Sequence, residues 1–173
     1  MVDKLLTSND LKAIKKWIKK LEEKYYNSEN KRDIARSELK LSYEEIGSGE
    51  RRIVFDLKNG LVLKVAVSKT GIKNNKNEAE IYKKFKSSLR SHLAKVIDYG
   101  HGWIIMEKID QQVSQNDENR EKVLILRKKF LRRGMRARDI IDPSSKEPKW
   151  NNIRYREKDN LIIVIDYGPF RYY

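Results

Sequence analysis

The sequence predicts an α+β fold in which short antiparallel strands alternate with amphipathic helices. Residues 53–57 and 61–67 are two runs of β-branched and apolar residues, and Asn59-Gly60 between them is a strong hairpin signal. Apolar residues at helical spacing predict three further segments as helices, over about 9–25, 75–87 and 117–133. With 173 residues, the chain can bury one sizeable core and carry an appended segment.

Composition and charge exclude several classes of protein. The chain has no cysteine, which excludes a disulfide framework, a thiol nucleophile and a thiolate metal site. It has no apolar signal core and no run of membrane-spanning length, which predicts a soluble, cytoplasmic protein without a membrane partner. The net charge is +14, and residues 120–158 carry 14 Lys and Arg against 5 Asp and Glu. Such a field attracts ATP, nucleic acid or an acidic protein.

The N-terminal residues predict two helices ahead of the first strand. Thr7 and Asp10 have the spacing of a capping box. The helix over 9–25 carries one apolar stripe, formed by Leu11, Ile14, Trp17, Ile18, Leu21 and Tyr25. This stripe predicts packing on the same chain or on a partner chain rather than on a membrane. After a polar break at 27–30, residues 28–39 predict a second, weaker helix.

One lysine lies inside an apolar strand, and two glycines precede it. Lys64 interrupts the run 61–67, and a lysine buried there must reach solvent or pair with an anion. Gly47 and Gly49 flank Ser48 at a point where the backbone can bend sharply and approach a bulky anion. The two features together favour phosphate binding, and the alternative is an ordinary β-meander whose lysine reaches solvent.

The series Gly-x-Gly-x-x-Arg-x-Val-Phe, an Asn-Gly turn and Val-Leu-Lys-Val-Ala resembles the nucleotide-binding lobe of the protein-kinase fold. The resemblance is closest to small kinase-like proteins of bacteria and their phages. It implies that Gly47, Ser48 and Gly49 cover the phosphates of ATP and that Lys64 contacts them. Arg52 departs from the pattern, because it stands where the family has a third glycine. By the same resemblance, Glu78 is the glutamate that pairs with the strand lysine, and Glu80 is the less favoured choice.

Two more strands are predicted over 93–99 and 103–109, joined through Gly100-His101-Gly102. They resemble the fifth strand and hinge of kinases. That resemblance implies that Met106 lines an adenine pocket and that the backbone around Glu107 and Lys108 hydrogen-bonds the base. His92 and His101 are predicted to be turn residues rather than catalysts.

The C-terminal segment resembles a catalytic loop in outline. Asn152 matches the metal-binding asparagine, and Asp166-Tyr167-Gly168 matches the metal-binding Asp-Phe-Gly, which implies Mg²⁺ held by Asn152 and Asp166. Asp139 matches the catalytic aspartate but lies 13 positions before Asn152, well beyond the family's spacing. The base is Asp139, or Asp142 in its place, or neither.

The predicted architecture is a kinase-like α+β fold with a five-stranded antiparallel N-lobe, a helix C, a strongly reduced C-lobe and preceding N-terminal helices. The predicted divisions are 1–40, 41–110 and 111–173. The predicted function is phosphotransfer from ATP and Mg²⁺ to a protein or a small hydroxyl compound, with Lys64, Asp139 and Asp166 as catalytic residues. The alternatives are an inactive, pseudokinase-like module that binds an acidic partner protein, and a basic nucleic-acid-binding domain. The last is not favoured, because stacking aromatics are not interleaved with the basic run.

Overall fold

A computed structural model describes residues 5–23 and 30–173, with Ser87 described by its backbone only. The chain forms two compact units. The first comprises Met1–Lys76 and Ile97–Met106, and the second comprises Asn77–Val96 and Glu107–Tyr173. The divisions predicted from the sequence at residues 40 and 110 stay predictions.

The first unit begins with two helices, α1 (Ser8–Glu23) and α2 (Lys31–Leu39). The capping box of α1 is present, since Thr7 N–H donates to Asp10 Oδ2 at 2.8 Å and Asp10 N–H donates to Thr7 Oγ1 at 3.1 Å. Both predicted helices are confirmed. The predicted end of the first at Tyr25, and most of the polar break, lie outside the described residues.

Helix α1 packs on its own chain through most of the predicted stripe. Ile14, Trp17, Ile18 and Leu21 are buried, and Trp17 Nε1–H donates to the Ala66 carbonyl oxygen at 2.8 Å. The prediction is wrong for Leu11, which is 38% exposed. Trp17 shifts the centre of the buried face, and Leu11 therefore lies at its margin.

A five-stranded sheet follows, in the order β1-β2-β3-β5-β4. Its strands are β1 (Glu44–Ser48), β2 (Arg52–Asp56), β3 (Leu61–Ala66), β4 (Val96–Gly100) and β5 (Trp103–Glu107). The pairs β1–β2 and β2–β3 are antiparallel, and the predicted sheet is confirmed. The hairpin turns where Asn59-Gly60 predicts it, although the positive φ angles belong to Lys58 (60°) and Gly60 (77°). Strands β4 and β5 are shorter than predicted.

Helix α3 runs from Lys69 to Lys84 and starts before the predicted residue 75. The start of the helix is capped by Ser68, whose Oγ accepts the Gly71 N–H at 3.0 Å. This glycine serves close packing rather than a turn, since a Cβ there would lie 2.0 Å from the Arg51 carbonyl oxygen.

The second unit is built on helix α4 and two small antiparallel sheets. Helix α4 (Asp117–Arg132) confirms the predicted helix, and its N-terminus is capped by Asn116, whose Oδ1 accepts the Asn119 N–H at 2.9 Å. Strand β6 (Met135–Arg136) pairs with β9 (Arg171–Tyr172), and strand β7 (Ile153–Arg156) pairs with β8 (Leu161–Val164).

An aromatic cluster forms the core of the second unit. The Phe130 ring meets the rings of Phe85 and Phe170 edge to face, at centroid distances of 5.7 and 5.4 Å. In α4, Leu124 and Leu131 are not fully buried: Leu124 is half-buried and Leu131 is 47% exposed. Each directly follows a fully buried residue, and adjacent residues of a helix cannot share one narrow face. Across the described ranges, no helix is both long and apolar enough to cross a membrane.

His92 supplies a pH-dependent contribution to stability. It ends the 3₁₀ turn Ser87–His92, and its Nδ1–H donates to the Ile162 carbonyl oxygen at 2.8 Å. Burial lowers the pKa of His92 from its ordinary value of 6.5. The unfolded chain therefore takes up a proton more readily than the folded chain, and stability is lost as the pH falls below about 6.5.

We expect the Tm to decrease when the pH is lowered from about 7.5 to about 5.5, a window above the main titration of carboxylates. In His92→Gln, whose amide can still donate to Ile162, this decrease is expected to be smaller than in the wild type. Thermal melts followed by circular dichroism measure both slopes. Equal slopes in the two proteins would contradict this assignment.

Candidate functional site

The glycine segment lies at the end of β1 in the first unit. Gly47 and Ser48 are the last residues of the strand, and Gly49 N–H donates to the Arg52 carbonyl oxygen at 2.9 Å to close the turn. A Cβ added at Gly49 would have no heavy atom within 4 Å. The backbone at the tip of this turn is therefore open to the close approach of a ligand.

Arg52, at the position of the third glycine, is a buried structural residue. It is 7% exposed, and its Nη1 donates to Asn75 Oδ1 at 3.1 Å. The Asn75 amide in turn donates to the Gly102 carbonyl oxygen at 3.0 Å. Through Asn75, the Arg52 side chain therefore connects the base of the turn to α3 and to the β4–β5 connection.

Lys64 and Met106 are interior residues of the five-stranded sheet. Lys64 lies in β3 opposite Val54 and is 7% exposed, and Met106 in β5 is 1% exposed. The burial of Lys64 is as its position inside an apolar strand predicts. Its pairing with Glu78, or with Glu80, stays a prediction.

Glu78 binds the backbone of the Asp-Tyr-Gly segment, residues 166–168, in the second unit. Its side chain is fully buried, and Oε1 accepts the Tyr167 N–H at 3.0 Å and the Gly168 N–H at 3.1 Å. The neighbouring Asn77 donates through Nδ2 to the carbonyl oxygens of Gly168 and Phe170 at 2.7 and 2.8 Å. Two adjacent residues of α3 thus fix the backbone that follows Asp166.

Asn152 links Asp139 to the residue that precedes Asp166. Its Nδ2 donates to the Asp139 carbonyl oxygen at 2.7 Å, and its own carbonyl oxygen accepts the Ile165 N–H at 2.9 Å. Ile165 directly precedes Asp166, which is half-buried. The structure therefore brings Asp139, Asn152 and the backbone at Asp166 into one neighbourhood of the second unit.

The long segment between Asp139 and Asn152 folds back on itself. Asp142 N–H donates to the Glu147 carbonyl oxygen at 2.8 Å, and Lys149 N–H donates to the Ile140 carbonyl oxygen at 2.9 Å. This fold returns the Lys149 ammonium to Asp139, with which it forms an ion pair. The sequence did not indicate that Lys149 pairs with Asp139, because the path of the loop alone brings the two residues together.

Asp139 and Asp142 differ in what their backbones and carboxylates do. Asp139 has φ 71°, a left-handed conformation that is unfavourable for a residue with a side chain. Asp142 Oδ1 accepts the N–H groups of Ser145 and Ser144, and these bonds hold the pKa of Asp142 below its usual value. Asp142 therefore acts as a turn former, with an oxygen already bonded to backbone.

The predicted hinge residues Glu107 and Lys108 form hydrogen bonds and ion pairs with other residues of the second unit. Glu107 N–H donates to the Lys95 carbonyl oxygen at 2.9 Å, and the Glu107 carboxylate pairs with Arg156 at 3.2 Å. Lys108 Nζ lies 3.3 Å from Asp110 Oδ1. An adenine ring at this segment would therefore have to use backbone groups other than the Glu107 N–H.

The predicted magnesium ligands are one amide and one carboxylate, and such a pair would suit a cation that is shared with a ligand. Among the described residues there is no cluster of three or more His, Cys, Asp or Glu side chains that could hold a metal ion. Magnesium commonly binds to one or two protein oxygens and completes its shell with phosphate and water. The role of Asn152 and Asp166 as magnesium ligands stays a prediction.

Comparison with known proteins shows the class of fold. Neither a protein-family model nor a curated protein sequence matches the chain. Among solved structures, the bifunctional kinase-methyltransferase WbdD matches with a TM-score of 0.51 and 17% sequence identity. The match covers 71% of this chain and 30% of that chain. The chain therefore has a kinase-like fold, and it spans less than a third of the length of this neighbour.

Proposed function

We propose that the chain is an ATP- and Mg²⁺-dependent phosphotransferase of minimal kinase-like fold, acting on a protein or a small hydroxyl compound. The observation that carries the proposal is the hydrogen bonding of Asn152 to Asp139 and to Ile165, despite the long loop between Asp139 and Asn152. A carboxylate base, an amide ligand and a second carboxylate are the groups that phosphoryl transfer requires of a kinase-like site.

Asn152 and Asp166 are the proposed magnesium ligands. The Asn152 amide nitrogen is committed to the Asp139 carbonyl oxygen, so its Oδ1 is the atom left to bind a cation. The backbone after Asp166 is fixed by Glu78 and Asn77, which limits the positions its carboxylate can take. A bound Mg²⁺ would neutralise charge on the transferring phosphate.

Asp139 is the proposed base that receives the proton of the substrate hydroxyl. The carboxylate of Asp142 is the weaker candidate, because its Oδ1 accepts two backbone N–H groups. The ion pair with Lys149 orients the Asp139 carboxylate. It also supplies a positive charge beside the hydroxyl that is to be phosphorylated.

Lys64 and the glycine segment are proposed to contact the phosphates of ATP. Removal of a lysine from water is costly, and a strand that buries one has a use for the charge or a partner for it. The open backbone at Gly49 leaves room for a phosphate to approach.

Binding of Mg-ATP is expected to raise the Tm by roughly 5–10 °C at about a hundredfold excess over Kd. Lys64→Met, which keeps an apolar stem in the strand, is expected to lose most of this shift. Lys58→Ala, at an exposed lysine in the adjoining hairpin loop, is the matched control and is expected to keep it. A thermal-shift titration measures all three proteins, and γ-phosphate transfer to the chain itself and to candidate substrates is assayed in parallel. Absence of a shift in the wild type would reject the proposal.

The second candidate is a pseudokinase-like binding module. It is favoured by the Asp139 carboxylate, which is already held in an ion pair at the end of a long loop. A nucleotide-dependent thermal shift without any transfer of the γ-phosphate would select this candidate over the phosphotransferase.

A further inference from the structure

A groove of about 360 Å³ lies on the second unit, on residues that the proposed function does not use. The side chains of its apolar floor are Phe85 and Leu89, which are 8% and 7% exposed. Tyr172, which is 40% exposed, forms one wall. The charged lining residues are Lys84, Lys86 and Arg133. Among the residues that the structure describes, no acidic side chain lines the groove.

The three cations of the groove have no acidic partner in the described part of the chain. Within residues 5–23 and 30–173, no ion pair with a carboxylate is formed by Lys84, Lys86 or Arg133. Other cations of the same unit, such as Lys149 and Arg156, do form such pairs. Lys84 lies in the last turn of α3, where the helix dipole favours a cation, but Lys86 lies beyond that helix and ahead of the 3₁₀ turn. Helix electrostatics therefore does not account for the whole set.

We propose that this groove binds an acidic peptide segment of a partner protein, with one apolar side chain on the floor and Asp or Glu residues against the three cations. The apolar side chains of Phe85 and Leu89 favour an apolar side chain as the occupant between the cations. Nucleic acid fits less well, because the Tyr172 ring already stacks on Phe85 at 6.3 Å and has the Lys84 ammonium 3.8 Å from its centroid. A base would have to displace these contacts in order to stack.

The probe for this proposal is a fluorescein-labelled peptide of Asp and Glu residues around a central Leu-Phe pair. Fluorescence anisotropy with the full chain, in the absence of nucleotide, is expected to show binding that weakens as salt is added. Lys86→Glu combined with Arg133→Glu is expected to weaken binding at least about tenfold. Lys128→Glu, at an exposed α4 position outside the groove, is the control for a charge reversal elsewhere on the surface and is expected to change affinity less than about twofold.

Three results would overturn the proposal: no binding of the acidic peptide, equal loss in the groove variant and in Lys128→Glu, or tighter groove-dependent binding of a single-stranded RNA of similar length. A peptide with Lys in place of Asp and Glu tests the sign of the charge and is expected not to bind. Because the measurement contains no ATP or Mg²⁺, its failure leaves the proposed phosphotransferase function untouched, and failure of that function leaves the groove proposal untouched.

Discussion

Glu78→Ala is expected to lower the free energy of unfolding by roughly 2–6 kcal/mol, since it leaves two buried N–H groups without an acceptor and each costs about 1–3 kcal/mol. The acceptor is fully buried, and the two donors are the Tyr167 and Gly168 amides. Water cannot easily replace a carboxylate at a position without solvent exposure. Urea unfolding followed by tryptophan fluorescence measures the change.

Two control variants separate this hydrogen bonding from other effects of the substitution. Glu78→Gln keeps an oxygen that can accept both N–H groups, and it is expected to lose much less stability than alanine. Glu80→Ala, two positions along the same helix at an exposed site, is expected to change stability by less than about 0.5 kcal/mol. Because alanine is a better helix former than glutamate, helix propensity would not destabilise either variant. Equal destabilisation by alanine at positions 78 and 80 would therefore contradict the assignment of the loss to the Tyr167 and Gly168 hydrogen bonds.

Asp166→Asn is expected to reduce γ-phosphate transfer by on the order of a hundredfold to a thousandfold, with little change in Tm. The substitution keeps the size of the side chain but removes the negative charge proposed to hold Mg²⁺. Initial rates measured across a range of Mg²⁺ concentrations test the role directly, because a lost ligand raises the concentration needed for half-maximal rate.

Asp98→Asn is the matched control for the loss of a carboxylate. Asp98 lies in β4 with its side chain exposed, and its Oδ1 accepts the Tyr99 N–H at 2.8 Å. The rate of γ-phosphate transfer by Asp98→Asn is expected to equal that of the wild type. A transfer rate in Asp166→Asn within about twofold of wild type would remove Asp166 from the proposed metal site, whatever the control does.

The elements that could be predicted from the sequence are those with local causes. The Thr7–Asp10 capping box starts a helix through contacts three residues apart, and the Asn-Gly pair turns a hairpin between its own neighbours. Lys64 could be singled out because a charge inside an apolar strand conflicts with its surroundings at the level of sequence. In each case, the interacting groups lie close together along the chain.

The parts that could not be predicted depend on contacts between distant residues. Glu78 and the Tyr167 amide are 89 positions apart. No local sequence pattern distinguishes a glutamate whose carboxylate accepts backbone N–H groups from a glutamate that faces solvent. Asp139 and Asn152 are 13 positions apart in sequence, yet they share a hydrogen bond of 2.7 Å. The sequence could not predict this contact, because it depends on the fold of the intervening residues.

Gly49 differs from Gly71 in what the fold demands of it. Gly71 is packed against a carbonyl oxygen and admits no side chain, whereas Gly49 has neither a crowded Cβ position nor a left-handed φ. Selection for a folded chain alone would therefore leave residue 49 free to become alanine or serine. Retention of glycine there would reflect pressure from something outside the polypeptide, such as the phosphate that is proposed to approach this turn.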